Sequence, residues 1–288
     1  MSRRDFLAQT CLGVLGMTSV PSFVSAAVER TERTETMPVL FIGHGNPMNA
    51  LEDNEFSRAW RDVGKRVPRP RAILCISAHW ETDGAFVGTT SKPGTIYDFY
   101  GFPDELYKVV YPAPGAPDWA ETVRRTVTSE KVQADPKRGL DHGTWVVLRR
   151  MFPEADIPVL QLSLDTGRSP QEHYEIGRQL MPLRERGLLI IGSGNMVHNL
   201  RVMAWTDSAF DWAKAFDATL ASLIEKREHK TLIDYPSLGK EARMAIPTNE
   251  HYLPMLYTLA LQGKEEKLRF LAERVILGSI SMRAFQIG

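Results

Sequence analysis

The sequence is poor in cysteine, balanced in charge and free of long hydrophobic runs. Two cysteines among 288 residues exclude a small domain held together by disulfides. The 35 basic residues equal the 35 acidic ones in number, so the positive excess typical of nucleic-acid-binding proteins is absent. With 43% hydrophobic and 24% charged residues, the composition is that of a globular protein and excludes a disordered chain or a coiled-coil rod.

The first 27 residues have the pattern of an export signal. Arg3 and Arg4 precede Phe6, a broken apolar stretch covers residues 8–20, and small residues end the segment. This order is typical of a signal peptide, with an amphipathic N-terminal helix as the alternative. The apolar stretch is shorter than the roughly 20 residues that span a bilayer.

The paired arginines followed by Phe-Leu resemble a twin-arginine signal. We therefore expect the twin-arginine export machinery to carry the chain to the periplasm. Residues 1–27 would be the signal peptide, 28–36 a polar leader and 37–288 a single folded domain without a membrane segment. That mature form retains Cys75 alone, which excludes an internal disulfide.

Short apolar runs rich in β-branched residues alternate with helical patterns along the rest of the chain. This alternation predicts an α/β fold, a single domain with a central, mostly parallel or mixed sheet flanked by helices. The predicted strands are 39–42, 72–77, 85–89, 159–164 and 188–191; the predicted helices are 52–66, 117–129, 143–151, 170–183, 208–228 (capped by Ser208), 250–262 and 264–274.

Three histidines follow predicted strands directly. His44 comes after VLFIG, His79 after AILCIS and one alanine, and His198 shortly after LLIIGSG. Ligands of open α/β folds bind at the carboxyl ends of the strands, and imidazole is the commonest metal ligand. The pattern therefore predicts a metal site at one edge of the sheet.

Four further histidines differ in their surroundings. His142 and His251 each follow a carboxylate at a predicted helix start, and such neighbours can orient an imidazole or supply an oxygen ligand. His173 and His229 lie among charged residues of predicted helices. We expect these last two to be solvated surface residues.

Other catalytic patterns are weak in this sequence. The GSG after the strand at 188–191 lacks the third glycine of a dinucleotide fingerprint, because Val197 stands there. There is no G-x-S-x-G, which makes Ser77 and Ser193 poor candidates for the nucleophile of a serine hydrolase. Cys75 lies within a predicted strand and is expected to be inert core.

Seven motifs of the chain resemble those of one family. GHGNPMNAL, SAHWE, YDFYGFP, YPAPG, LDHGTW, GSGNMVHNL and EHYLP occur in the order seen in the 4,5-DOPA extradiol dioxygenases, which are class III, LigB-like ring-opening enzymes. The resemblance covers residues 37–288. It implies a single LigB-like α/β catalytic domain with one divalent metal ion at the edge of the central sheet.

The resemblance also implies roles for the histidines. His44 and His79 would be metal ligands, and so would His251 or its neighbour Glu250. His198 matches a catalytic acid/base of the wider class that is assigned to the metal in close relatives. His142 resembles a second pocket histidine that contacts substrate or oxygen. Ring opening in this class uses Fe(II), whereas bacterial members are described as zinc-binding.

The implied reaction inserts both atoms of O2 into a catechol such as L-DOPA, by 4,5-cleavage, to give a hydroxymuconic semialdehyde. His142 and His198 would be catalytic. The aromatic residues of the long segment 91–117, a candidate lid or binding loop, would either wall the substrate or pack in the core: Tyr97, Phe99, Tyr100 and Phe102. Two alternatives stay open, a zinc-dependent hydrolase that uses the same histidines and a metal-binding protein without catalysis.

Overall fold

The apolar runs of the sequence form the centre of an eight-stranded sheet. A computed structural model describes residues 35–206 and 208–288, which form one compact unit. The strands in sheet order are β4 (Gln133–Asp135), β3 (Phe86–Gly88), β5 (Val159–Asp165), β2 (Ala72–Thr82), β6 (Leu188–Gly194), β1 (Val39–Gly43), β10 (Ala284–Ile287) and β7 (Leu268–Ala272); β8 (Val275–Ile276) and β9 (Ile280–Ser281) form a separate hairpin.

The four central strands are parallel. β5, β2, β6 and β1 pair in parallel, and every residue of β1, β5 and β6 is buried. Burial on both faces is the reason that these strands read as continuous apolar runs. Antiparallel pairing of β10 with β1 and of β3 with β5 makes the whole sheet mixed, which confirms the predicted fold class.

Helices cover both faces of the sheet. Side chains alternate along β1, so that Val39 and Phe41 pack into one hydrophobic core whereas Leu40 and Ile42 pack into the other. The α-helices are α1 (Glu55–Arg66), α2 (Asp104–Tyr107), α3 (Pro117–Thr126), α4 (His142–Met151), α5 (Pro170–Gln179), α6 (Met181–Arg184), α7 (Asp211–Glu225), α8 (His229–Ile233), α9 (Lys240–Ala245) and α10 (Leu253–Leu259).

Two local predictions are wrong. Residues 264–274 were expected to be helical, but they contain β7, which is an edge strand of the sheet. Ser208 does not cap α7, which begins at Asp211. The Ser208 hydroxyl instead forms a hydrogen bond with the Thr206 hydroxyl.

The segment predicted as a signal peptide, residues 1–27, lies outside the described residues. Within the described ranges no helix is both long enough and apolar enough to cross a bilayer.

A buried ion pair joins α7 to the C-terminal strands. Arg283 donates to Asp217 Oδ2 through Nε at 3.0 Å and Nη2 at 2.6 Å, and both side chains are almost fully buried. The Ser281 hydroxyl donates to the other carboxylate oxygen at 2.6 Å. Because a buried charge needs its partner, each member of this pair depends on the other.

We expect Asp217→Ala to lower the free energy of unfolding by about 3 kcal/mol, since it leaves the buried Arg283 guanidinium with the Glu273 carboxylate alone as counter-charge. Urea denaturation followed by circular dichroism measures the loss. Asp211→Ala is the matched control, because Asp211 pairs with Lys214 on the surface of the same helix, where ion pairs contribute little. Equal unfolding midpoints for the two variants would contradict the prediction.

Candidate metal centre

Three histidines meet at the carboxyl edge of the parallel strands. His44 follows β1, and its backbone N–H donates to the Gly194 carbonyl at the end of β6 at 3.1 Å. His79 lies inside β2, which runs five residues past its predicted end. His251 precedes α10, and its carbonyl accepts the Asn195 N–H at 2.9 Å. Backbone hydrogen bonds to β6 therefore hold two of the three residues at the same edge.

The imidazoles of His44, His79 and His251 converge. One ring nitrogen from each lies within 4.8 Å of the other two, and His44 Nε2 is 3.0 Å from His79 Nε2. The ring centroids are 5.0 Å apart for His44 and His79, 5.4 Å for His44 and His251, and 4.9 Å for His79 and His251. Three imidazole nitrogens at this spacing match the donors that zinc and non-haem iron sites use.

Acceptors on the outer side of the cluster orient these rings. His44 Nδ1 lies 3.0 Å from Ser193 Oγ, and His251 Nδ1 lies 3.0 Å from Glu250 Oε1. His79 Nδ1 has a longer contact of 3.4 Å with Asp98 Oδ2. An imidazole that donates its Nδ1 proton outward presents an unprotonated Nε2 to a metal.

The cluster is held in its neutral form. Burial lowers the pKa of His44 and of His251 well below the usual value, and the neighbouring histidines lower both further. Burial, with His142 next in effect, lowers the pKa of His79 to about 3. Because only a neutral imidazole can bind a metal, the donors fit a divalent ion near neutral pH.

The sequence motif EHYLP left Glu250 and His251 as alternative metal ligands. The geometry favours His251, because its ring belongs to the three-nitrogen cluster while the Glu250 carboxylate contacts the outer nitrogen of that ring. Glu250 also lies close to His198 and His251 in a second group of donors.

His142 and His198 flank the three-nitrogen cluster. The His142 ring lies 3.9 Å from that of His79 and 5.3 Å from that of His44. His198 stacks on His251 with ring centroids 3.5 Å apart, and burial, followed by His142, lowers its pKa to about 4. The structure thus brings both predicted catalytic histidines against the cluster, with His198 beside it rather than within it. Its role as ligand or as acid/base stays a prediction.

Asp98 is a site residue that the sequence reasoning missed. Its Oδ1 accepts the backbone N–H of His142 at 2.9 Å, and its Oδ2 lies 3.0 Å from His142 Nδ1. Burial opposes ionisation, but the hydrogen bond and charge of His142 and the charge of His79 outweigh it and lower the Asp98 pKa to about 2. A lone acid among the aromatics of YDFYGFP was the available signal.

The aromatic residues of the long loop occupy different positions. Phe99 lies edge-on to His142 with centroids 5.7 Å apart. Tyr97 and Phe102 pack against the core, and the Tyr97 hydroxyl donates to the Val109 carbonyl at 2.9 Å. Tyr100 is 92% exposed. Of the four predicted substrate contacts, Phe99 is therefore the one that the structure places against a pocket histidine.

The expectation that His173 is solvated is wrong. His173 is fully buried and shares a 2.9 Å hydrogen bond with the Tyr257 hydroxyl, because α5 packs closely on α10 at Gly177. His229 is half-buried and its Nδ1 lies 2.8 Å from the Tyr174 hydroxyl. The charged residues near His173 and His229 in the sequence suggested exposed positions, and they gave no sign of the contacts with Tyr257 and Tyr174.

Comparison with known proteins agrees with this geometry. Residues 38–281 match the family described as the catalytic LigB subunit of aromatic ring-opening dioxygenase. The chain belongs to the LigB family. It is accordingly an aromatic ring-opening dioxygenase, an oxidoreductase that depends on a metal, and the resemblance seen in the sequence motifs is confirmed.

Individual known proteins are similar to this chain over most of its length. A protein of Escherichia coli K12 named 4,5-DOPA dioxygenase extradiol is 42% identical over 88% of this chain and 95% of its own length. A Beta vulgaris protein of the same name is 39% identical over 79% and 87%. A crystal structure of an uncharacterized Escherichia coli K12 protein has a TM-score of 0.77 at 39% identity and covers 88% of this chain and all of its own.

We expect His44→Ala, His79→Ala and His251→Ala each to weaken Zn²⁺ binding by more than the roughly 100-fold that loss of an outer hydrogen-bond partner can cost. Competition with a chromophoric chelator measures the affinity. His229→Ala is the control and should bind as the wild type does. A variant of the first three with unchanged affinity removes its histidine from the ligand set, and His198→Ala in the same assay tests the fourth candidate.

Proposed function

We propose that the chain is an extradiol dioxygenase that opens the ring of L-DOPA at the 4,5 bond, with Fe(II) held by His44, His79 and His251. The observation that carries this proposal is the surplus of histidines. Three imidazoles suffice for the ion, yet the same pocket contains His142 and His198 within ring contact of the cluster. A protein that only bound a metal would need neither.

The metal suits the donors. His44, His79 and His251 would hold the ion and leave coordination positions for other ligands, and Fe(II), when bound, would supply sites for the two catechol oxygens and electrons for O2. In the proposed reaction the ring carbon–carbon bond beside the two hydroxyls breaks, and both oxygen atoms enter the hydroxymuconic semialdehyde product. No external reductant is consumed.

The chain's own residues handle the protons. A catechol hydroxyl must lose its proton, and a neighbouring imidazole can accept it and return it later. His198 starts unprotonated near pH 7 because its pKa is about 4. His142 is held by the Asp98 carboxylate on its Nδ1 side, which leaves Nε2 as the nitrogen free for substrate or oxygen.

The substrate is inferred from the position of Phe99 beside His142 and from the names of the relatives. Phe99 lies edge-on to His142, a geometry that aromatic rings favour, and it would contact one face or edge of a catechol bound beside that histidine. The relatives from Escherichia coli and Beta vulgaris are both named for DOPA. These two points support a single-ring catechol, with L-DOPA as the first to test.

Anaerobic loading with Fe(II), followed by L-DOPA in air, should consume one O2 per L-DOPA and produce a yellow semialdehyde. An oxygen electrode and visible absorbance measure the two. The same protein loaded with Zn²⁺ is the control and should consume no O2. Bound iron without O2 uptake on L-DOPA or a panel of catechols would contradict the proposal and would direct attention to hydrolysis by the zinc-loaded protein.

We expect His142→Ala to retain its metal but to lower kcat by roughly 10²–10⁴-fold, the range for loss of a general acid or base. Steady-state O2 uptake and metal analysis of the same preparation separate the two effects. His229→Ala, which alters a histidine bonded to Tyr174, should match the wild type. Full activity in His142→Ala would exclude this residue from proton transfer.

A further inference from the structure

Ser193 links a metal-binding histidine to the helix that carries His142. It is fully buried near the end of β6. Its Oγ lies 3.0 Å from His44 Nδ1 and 2.6 Å from the Gly143 carbonyl oxygen. Ser193 is a poor candidate for a hydrolase nucleophile, but both of its contacts are to groups that it could orient.

The two hydrogen bonds fix the direction of each proton. A carbonyl oxygen only accepts, and a serine hydroxyl has a single proton to donate. The Ser193 proton therefore goes to Gly143, and the hydroxyl oxygen must accept a proton from His44 Nδ1. His44 is consequently in the tautomer whose Nε2 is unprotonated, and that nitrogen is the one 3.0 Å from His79 Nε2.

The anchor at Gly143 is rigid. A Cβ atom at this position would lie 2.6 Å from Ser77 Oγ and 3.1 Å from the His79 ring, so the first turn of α4 packs directly on the cluster. Asp141, which caps that helix, accepts hydrogen bonds from Ser77 at 2.7 Å and Gln161 at 2.6 Å. The carbonyl that receives the Ser193 proton therefore has little freedom to move.

We propose that Ser193 is a positioning residue that holds His44 in the Nδ1-protonated tautomer and aims its Nε2 at the metal, through a hydrogen bond anchored on Gly143. The inference concerns metal binding and does not require that the substrate be L-DOPA. Hydrogen-bond partners of this kind raise metal affinity because they fix the tautomer and orientation of the ligand.

The test compares Ser193→Ala with Ser163→Ala. Ser163 is a similarly buried hydroxyl on β5 that lies 2.6 Å from the Thr82 hydroxyl and accepts a hydrogen bond from the Phe86 N–H at 2.8 Å. We expect Ser193→Ala to weaken Zn²⁺ binding roughly 10–100-fold and to change the visible spectrum of the Co²⁺-loaded protein. Ser163→Ala should leave both unchanged although it loses a comparable buried hydrogen bond.

Long-range ¹H–¹⁵N NMR of the metal-free protein reads the tautomer directly, with His44 assigned by comparison with His44→Gln. The wild type should show a proton on Nδ1, and Ser193→Ala should lose that preference. A wild-type proton on Nε2 overturns the proposal even if Ser193→Ala fails to fold. Unchanged affinity in Ser193→Ala, or an equal loss in Ser163→Ala, also overturns it. A wild type that binds no metal refutes the metal centre, while the NMR result still decides the role of Ser193.

Discussion

The need to keep the clustered imidazoles of His44, His79, His198 and His251 neutral governs the site. Protonation of any one would place a positive charge against its neighbours, and burial opposes the same step, so that the pKa values of the central rings fall well below the usual one. A neutral imidazole still has one N–H to place. Ser193 and Glu250 lie 3.0 Å from the Nδ1 atoms of His44 and His251, and Asp98 lies 3.4 Å from that of His79, so the Nε2 lone pairs of these three rings face inward. Such an arrangement is costly when empty and is relieved by a cation.

The crowding of backbone around these rings explains the glycines of the motifs. A Cβ atom at Gly194 would lie 2.1 Å from the His251 carbonyl oxygen, and one at Gly43 would lie 2.7 Å from the backbone of Met282. Substitution at Gly194 would push β6 away from the segment that bears His251, and substitution at Gly43 would push β1 away from the segment at Met282. The GHG and GSG motifs therefore have a packing role, because Gly43 lets β1 approach the backbone at Met282 and Gly194 lets β6 approach the backbone at His251.

The part of the site that could be predicted is the part encoded locally. His44 and His198 follow apolar runs within a few residues, so their place at the sheet edge follows from strand prediction and parallel pairing. Asp98 and Ser193 could not be found in this way, because their partners lie 44 and 149 residues away along the chain. The prediction of a helix over the charged segment 264–274 failed for a similar reason. Pairing of β7 with β10 overrides its local preference.

The outer acceptors also set the charge of the site. Asp98 and Glu250 are carboxylates that contact His142 and His251, and carboxylates beside these histidines would offset part of the charge of a divalent cation. Ser193 serves His44 with a neutral hydroxyl instead. A carboxylate in its place would add negative charge around the ion and oppose the binding of an ionised catechol. The neutral serine therefore orients its histidine as a carboxylate would, while it leaves the charge of the metal available to the substrate.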